Sequence, residues 1–239
     1  MTSPAASAPS PSSGGRRPVV LPADADARLR ALDLSVEILH ASIRVGDTAR
    51  RRVTGGNYPT TYPGVVMWAE TLAALRSRLP ESAGWRIGRS GNYETVYSPS
   101  LKIGITVVAG DEDTGQEKPG HGRPRLKRSR GPKTSQRVRR NFNPNQMMLD
   151  LEALGFTADV DRLPEDEDCQ TWFLVVHPTD DDVRIEFSLP TDMSGDGNVS
   201  EWSERILVEA LMVSGVLAPK MPNEDDDDEG DSGLVRRRG

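Results

Sequence analysis

The chain has 239 residues, of which 36% are hydrophobic and 28% charged, and its 22 Gly and 18 Pro indicate that only part of it packs into a core. Its single cysteine, Cys169, excludes an intramolecular disulfide and a cysteine-based zinc cluster and favours a reducing, cytoplasmic setting. No stretch approaches the roughly 20 apolar residues of a membrane span, and none has the apolar core of a signal peptide, so we expect neither a membrane protein nor a secreted one.

The N-terminal part predicts a tail followed by a helix. Residues 1–22 are rich in Pro, Ser, Ala and Gly, cannot bury enough apolar area to offset chain entropy, and are predicted to be disordered. Order is expected from Asp24, and Gly46 is available to end a helix that begins there. The apolar residues of this helix recur at spacings of three and four, which is typical of a packed or dimerising helix: Leu29, Leu32, Val36, Leu39 and Ile43.

A second helix and three strands are predicted next. The helix begins at Pro63 and stops at Pro80, and its apolar stripe is Val65, Trp68, Leu72, Leu75 and Leu79. Short turn sequences then separate three β segments, which predict an antiparallel meander. These segments are Trp85–Arg89, Tyr93–Ser98 and Lys102–Val108.

The C-terminal part contains the clearest hairpin. Its strands are Thr171–His177 and Val183–Leu189, and in the second strand Val183, Ile185 and Phe187 alternate with Arg184 and Glu186, which predicts one inward and one outward face. A last strand is predicted through Arg205–Val208. Residues 145–154 fit a short helix or an extended peptide almost equally well, and the acidic residues after 219 predict a disordered tail.

These elements predict one α+β domain over residues 23–218, with two helices on one face of a five- or six-stranded antiparallel sheet. The meander and the hairpin each bury little by themselves, so we expect them to pair across the segment that separates them. That segment, residues 116–143, is predicted to be a flexible basic arm that interrupts the domain. Residues 1–22 and 219–239 are the predicted disordered tails. Leu72, Trp172 and Phe187 are expected in the core.

The basic arm carries the main functional prediction. Residues 121–140 hold nine Lys and Arg and no acid, whereas residues 1–120 hold 14 basic against 12 acidic residues and residues 141–239 hold 7 against 24. Clustered cations that neutralise phosphates bind nucleic acid weakly and without sequence preference, and the alternative is a solvated linker. The candidate nucleic-acid-binding residues are Arg123, Arg125, Lys127, Arg128, Arg130, Lys133, Arg137, Arg139 and Arg140.

A short peptide follows the arm. Gln146, Leu149 and Leu151 within QMMLDL resemble the Gln-x-x-Leu-x-Leu peptide by which bacterial replication and repair proteins dock on the sliding clamp. In that motif the glutamine occupies a polar pocket and the leucines a hydrophobic groove; here Met147 takes the usual leucine place and no phenylalanine closes the motif. The resemblance implies a clamp as partner, and the alternative is a buried helix face.

No catalytic or cofactor motif is present. The sequence has no Walker phosphate loop, no GxGxxG turn, no HExxH spacing and no GxSxG elbow, so no catalytic residue and no cofactor is assigned. The DMSGDGN sequence resembles part of a calcium loop, but its twelfth position is Ser203, so we interpret it as a turn and assign no metal. Asp111, Asp113 and Glu186 would suit a metal-dependent nuclease, yet Ser188 stands where its lysine is expected.

Together these features predict a non-enzymatic accessory protein of DNA metabolism that contacts nucleic acid through the arm and docks on a sliding clamp. A protein-interaction or inhibitor module with an acidic, nucleic-acid-mimicking tail is the alternative, and a metal-dependent nuclease comes third. A homodimer through an amphipathic helix is a further expectation, and no membrane partner is expected.

Overall fold

A computed structural model describes residues 19–142 and 164–213. These residues form one seven-stranded sheet, in the order β1-β7-β6-β5-β4-β3-β2, and four α-helices. None of these helices has the length and apolar character needed to cross a bilayer. The helices are α1 (Pro22–Arg30), α2 (Val36–Arg51), α3 (Tyr62–Arg78) and α4 (Pro132–Phe142). The strands are β1 (Val19–Val20), β2 (Arg86–Gly88), β3 (Thr95–Ser98), β4 (Ile103–Ala109), β5 (Gln170–Pro178), β6 (Asp182–Met193) and β7 (Val199–Met212).

The α+β class is confirmed, but the predicted two helices and five- or six-stranded antiparallel sheet are wrong. The sheet is mixed, because β4 pairs parallel with β5 and β1 pairs parallel with β7. Parallel neighbours need a long crossover connection. Residues 110–169 connect β4 to β5. They include residues 116–143, predicted as the basic arm and called the basic segment from here on, and α4 lies within that segment. The predicted pairing of the meander with the hairpin across this segment is confirmed, with Ile105 opposite Trp172.

The predicted first helix divides into α1 and α2. Asp33 adopts a left-handed conformation with φ of 55°, which interrupts the helix, and the Ser35 side chain then accepts a hydrogen bond from Ile38 N at 3.2 Å to cap α2. Gly46 does not end α2. It lies inside the helix, where an added Cβ would be 2.0 Å from Thr71 Oγ1 and 2.6 Å from the Met67 carbonyl oxygen of α3. The glycine therefore allows α2 and α3 to pack closely.

Helix α3 contacts α2 through a different side than the stripe predicted. Met67 and Thr71 face Gly46, so the first part of that stripe turns away, and Val65 and Trp68 are 47% and 37% exposed. The second part of the stripe is buried as predicted. It comprises Leu72, Leu75 and Leu79.

The sheet is covered on both faces, whereas helices were expected on one. Helices α1 to α3 cover the first face over a core that includes Ile105, Trp172 and Phe187. The second face has its own core, in which Phe173 and Val175 of β5 pack with residues of the basic segment, of α4 and of the β6–β7 hairpin. Register shifts in β6 near Leu189 to Met193 bend that hairpin. The other residues of this second core are Val108, Leu126, Val138, Met193, Val199 and Trp202.

The tails and the clamp-like peptide fall largely outside the described residues. Val19 and Val20 pair with β7 and Pro22 begins α1, so order starts before residue 23. The predicted tail residues 1–18 and 219–239 lie outside the described residues, as does the peptide that contains Gln146, Leu149 and Leu151.

Phe187 tests the first core. Its ring is fully buried and stacks on Trp172 with ring centroids 4.9 Å apart, so Phe187→Ala should lower the free energy of unfolding by about 3 to 5 kcal/mol. Ile87→Ala in β2 is the control, because Ile87 is 53% exposed, and it should change this free energy by less than about 1 kcal/mol. Urea unfolding followed by circular dichroism measures both. Equal midpoints for the two variants would contradict the inward assignment of Phe187.

Candidate nucleic-acid interface

The basic segment is tied to the sheet by backbone hydrogen bonds. Gly110 forms an isolated antiparallel bridge with Leu126, and Lys127 N donates to the Ala109 carbonyl oxygen at 2.9 Å. Trp202 Nε1 donates to the Pro124 carbonyl oxygen at 3.4 Å. These residues, which the sequence predicted as part of a flexible arm, are thus hydrogen-bonded to the sheet and close the second core.

Side chains alternate along the extended part of this segment. Pro124 and Leu126 are buried toward the sheet, whereas Arg123, Arg125 and Lys127 between them are exposed. Residues two apart in an extended chain point to the same side. The sheet thus holds three cations in one outward row, and Arg128 continues the exposed stretch.

Helix α4 packs on the second face through a mainly polar side. Its buried residues recur at positions i, i+3, i+4 and i+7, which is the spacing of one helix face. They are Thr134, Arg137, Val138 and Asn141. Asn141 donates from Nδ2 to the carbonyl oxygens of Thr171 and Pro190 and accepts from Thr171 N, so its amide joins α4 to β5 and β6.

Arg137 forms the central contact of α4. Its side chain is 1% exposed, and Nη2 and Nη1 donate to Asp166 Oδ2 and to the Asp166 carbonyl oxygen, both at 2.8 Å. The guanidinium also lies 4.6 Å from the centre of the Tyr93 ring. Asp166 in turn accepts from Ser90 Oγ at 2.5 Å. This ion pair therefore links α4, the segment before β5 and the turn before β3.

Two further cations of α4 are paired with Glu167. Lys133 Nζ lies 2.6 Å from Glu167 Oε1, and Arg140 Nη1 lies 2.9 Å from Glu167 Oε2. Burial raises the pKa of this carboxyl, but the hydrogen bonds from Lys133 and Arg140 outweigh it and hold the pKa below its ordinary value. Lys133, Arg137 and Arg140, which the sequence predicted as phosphate contacts, thus form ion pairs with Asp166 and Glu167 in this structure.

The remaining predicted cations lie at the surface, apart from half-buried Arg130. We call the exposed set, Arg123, Arg125, Lys127, Arg128 and Arg139, the basic face. Asp196 offsets one of its charges, since Arg125 Nη2 lies 3.1 Å from Asp196 Oδ2. Arg123 donates to the Ser200 carbonyl oxygen at 2.7 Å. Of the nine predicted cations, five are therefore exposed, three form internal ion pairs, and Arg130 is half-buried.

A cleft of about 470 Å³ opens beside the basic face. Arg125 and Lys127 line one part of it, Asp111 and Glu112 another, and His177 contributes from β5. The Asp111 oxygens already accept hydrogen bonds from Asp113 N at 3.2 Å and from Arg125 N at 3.0 Å. The cleft is therefore lined by both basic and acidic side chains. Asp111 is engaged in hydrogen bonds to the backbone of residues 113 and 125.

The carboxylates considered for a nuclease have structural partners. Glu186 is not outward as predicted: the covered second face buries it completely, it pairs with Arg205, and it accepts from Gly115 N at 3.1 Å. Asp113 is buried and accepts hydrogen bonds from Gly120 N at 2.6 Å and from His121 N at 2.9 Å. Burial raises the pKa of Asp113, but these hydrogen bonds and the His121 ring hold it below the ordinary value.

Cys169 and the DMSGDGN sequence were the remaining residues considered for reactive or metal-binding chemistry. Burial raises the pKa of the Cys169 thiol to about 11, so little thiolate forms at neutral pH. DMSGDGN spans the end of β6 and the β6–β7 turn, in which Asp196 Oδ1 accepts from Asn198 N at 3.1 Å. Among the residues that the structure describes, no group of three or more His, Cys, Asp or Glu side chains is arranged to hold a metal ion.

Arg137 and Arg139 provide a matched test of the internal and exposed sets. Arg137→Met leaves Asp166 buried without its countercharge, so it should lower the free energy of unfolding by about 3 to 5 kcal/mol. Arg139→Met removes the same charge from an exposed position and should change it by less than about 1 kcal/mol. Chemical unfolding at neutral pH measures both. If the two variants were equally stable, α4 would not depend on its buried ion pair.

Acid should weaken the same contact. Burial raises the pKa of Asp166, but the hydrogen bonds from Ser90 and Arg137 outweigh it and lower the pKa below the ordinary value. As pH falls, the Asp166 carboxylate is therefore protonated at a higher pH in the unfolded chain than in the folded protein. The stabilisation by Asp166 is complete above about pH 4 and is lost as pH falls through the pKa of the folded state. Asp166→Asn should be less stable than the wild type at pH 7 and should lose less stability between pH 5 and about pH 3. An unchanged acid limb in that variant would contradict the assignment.

Comparison with known protein families, with curated proteins and with solved structures gives no significant match, so the interface is interpreted from its own geometry.

Proposed function

We propose that this protein is a non-enzymatic accessory protein of DNA metabolism, and that it contacts the nucleic-acid backbone through the basic face. The observation that supports this is the alternation along residues 123–127, in which buried Pro124 and Leu126 fix Arg123, Arg125 and Lys127 in one outward row. Cations held on an ordered scaffold lose less conformational entropy on binding than cations on a free linker.

The chemistry of the face favours weak, non-specific contact. Each phosphate that is neutralised releases counterions, which gives affinity that falls with salt. Residues 121–140 contain no Phe, Tyr or Trp on which a base could stack, so recognition of single strands by stacking is not favoured. The acidic neighbour Asp196 reduces the local charge further. We therefore expect duplex binding with little sequence preference.

The alternative is a protein-interaction or inhibitor module with an acidic, nucleic-acid-mimicking tail. One observation favours it: Asp166 and Glu167 form ion pairs with three cations of α4, so acidic residues of this chain do act as countercharge for the basic segment. This function predicts no salt-dependent duplex binding and a co-purifying basic protein. The third hypothesis, a metal-dependent nuclease, predicts that the protein degrades DNA when Mg²⁺ is present. Incubation of the same labelled duplex with Mg²⁺ tests this.

Three partner and location proposals go with the main one: docking on a sliding clamp through Gln146, Leu149 and Leu151, a cytoplasmic location, and a homodimer. For the homodimer, the exposed apolar side chains Tyr58, Tyr62, Val65 and Trp68 provide a surface. Residues 53–75 contain a single charged residue, Glu70, so two copies of this surface would meet with little charge repulsion. Light scattering of the purified protein measures the oligomeric state.

A fourfold substitution tests the basic face. Replacing Arg123, Arg125, Lys127 and Arg128 by Gln should weaken binding to a labelled duplex at least about tenfold at low salt and should flatten the salt dependence, because each lost phosphate contact removes about 0.9 from the slope of log K against log salt. Fluorescence anisotropy at two or more salt concentrations measures both quantities. Thermal unfolding should change little, since these side chains are exposed.

The control removes the same charge from the opposite layer. Arg30, Arg44, Arg52 and Arg78 are exposed in or beside α1 to α3, and their replacement by Gln should leave most of the duplex affinity. Equal losses in the two fourfold variants would mean that only net charge matters, and the basic face would then have no special role.

A further inference from the structure

Arg130 differs from the other cations of the basic segment. Its side chain is half-buried, and its Nε is buried without a hydrogen-bond partner. Within residues 19–142 and 164–213, no carboxylate lies within ion-pair distance of it. Lys133, Arg137, Arg140 and Arg125, by contrast, are each paired with an acid.

The charge environment of Arg130 is unfavourable without a ligand. Burial lowers its pKa, the neighbouring guanidinium of Arg128 lowers it further, and only Tyr93 acts in the opposite direction. The first turn of α4, which begins two residues later, contains no acidic residue. A desolvated cation without a counter-ion costs free energy in the folded state. Arg130 therefore lacks the partner that its burial requires.

The backbone holds Arg130 in this position. Arg130 N donates to the Gly197 carbonyl oxygen in the β6–β7 turn at 2.8 Å. Gly197 has φ of 79°, and an added Cβ there would lie 2.7 Å from the Arg130 carbonyl oxygen and 2.9 Å from its nitrogen. Only glycine allows the turn to approach so closely. The position of Arg130 is thus fixed by the hairpin and is not a property of a free loop.

We propose that Arg130, with exposed Arg128 beside it, forms a binding site for a phosphate group of a nucleic-acid backbone. A phosphate oxyanion supplies the negative charge that Arg130 lacks, and it matches the fork of donors that a guanidinium presents. The nucleic-acid source of the phosphate rests on the proposed function; the oxyanion site itself does not. Arg130 is then the anchoring position, and the rest of the basic face supplies general attraction.

The test uses the opposite effects expected on stability and on binding. Arg130→Met keeps most of the side-chain volume and removes the unpaired charge, so its melting temperature should be equal to or above that of the wild type. Inorganic phosphate should raise the melting temperature of the wild type by about 2 °C or more over sodium chloride of equal ionic strength, and should not raise that of Arg130→Met. The affinity of Arg130→Met for a short labelled duplex should be about tenfold lower than that of the wild type, as for a lost hydrogen bond to a charged group. Arg139→Met, with the same charge change, should lose less than about threefold.

Each other outcome has a definite meaning. A lower melting temperature of Arg130→Met would make Arg130 a structural residue and overturn the site. Equal duplex binding by the wild type and Arg130→Met would overturn the site while the proposed function stands. Phosphate stabilisation of the wild type without any duplex binding would uphold the oxyanion site and overturn the proposed function. Equal losses of duplex affinity in Arg130→Met and Arg139→Met would mean that Arg130 contributes only its positive charge, and would overturn its role as anchor.

Discussion

The structure depends on a sheet whose central strands are apolar on both faces. Along β4, Ile103, Ile105 and Val107 face helices α1 to α3, whereas Val108 and its β5 neighbours Phe173 and Val175 face the other way. A second apolar face must be covered, and the chain covers it with its most basic segment. That requirement explains the charge pattern: the other cations of this segment point into solvent or meet an acid, whereas Arg130 is half-buried without one among the described residues.

The strands of the β6 hairpin could be predicted because their burial follows sequence alternation, as Val183, Ile185 and Phe187 show. Helix α4 could not be predicted from apolar periodicity, because among its side chains whose burial the structure describes Val138 is the one buried apolar residue, and the others are polar. The parallel pairing of β4 with β5 was also missed, since local patterns carry no information about which strand becomes a neighbour after a long connection. In the first helix, the left-handed Asp33 broke a stripe that otherwise continued.

The composition of the basic segment predicts part of the candidate site but not the role of each cation. Nine cations in twenty residues indicate a polyanion contact, but Arg137 and Arg139 look alike in sequence and differ completely in the fold. Two residues correspond to about 200° around a helix, so one guanidinium enters the second core and the other faces solvent. The acids that receive the inner cations, Asp166 and Glu167, follow in the chain only after residues 143–163. Their pairing depends on tertiary structure, and a linear charge map cannot show it.

The parallel pair also has a consequence for the order in which the protein is made. Strand β4 ends at Ala109 and β5 begins at Gln170, so about 60 residues must be synthesised before β4 gains its neighbour. Closing so long a connection costs entropy that only non-local contacts repay, and such pairings form late. Until then the growing chain carries β4 as an open edge with an uncovered apolar face, the condition in which nascent sheets aggregate. The hairpin of β6 and β7 completes the second core, so this apolar face stays uncovered until β7, which ends at Met212, has been synthesised.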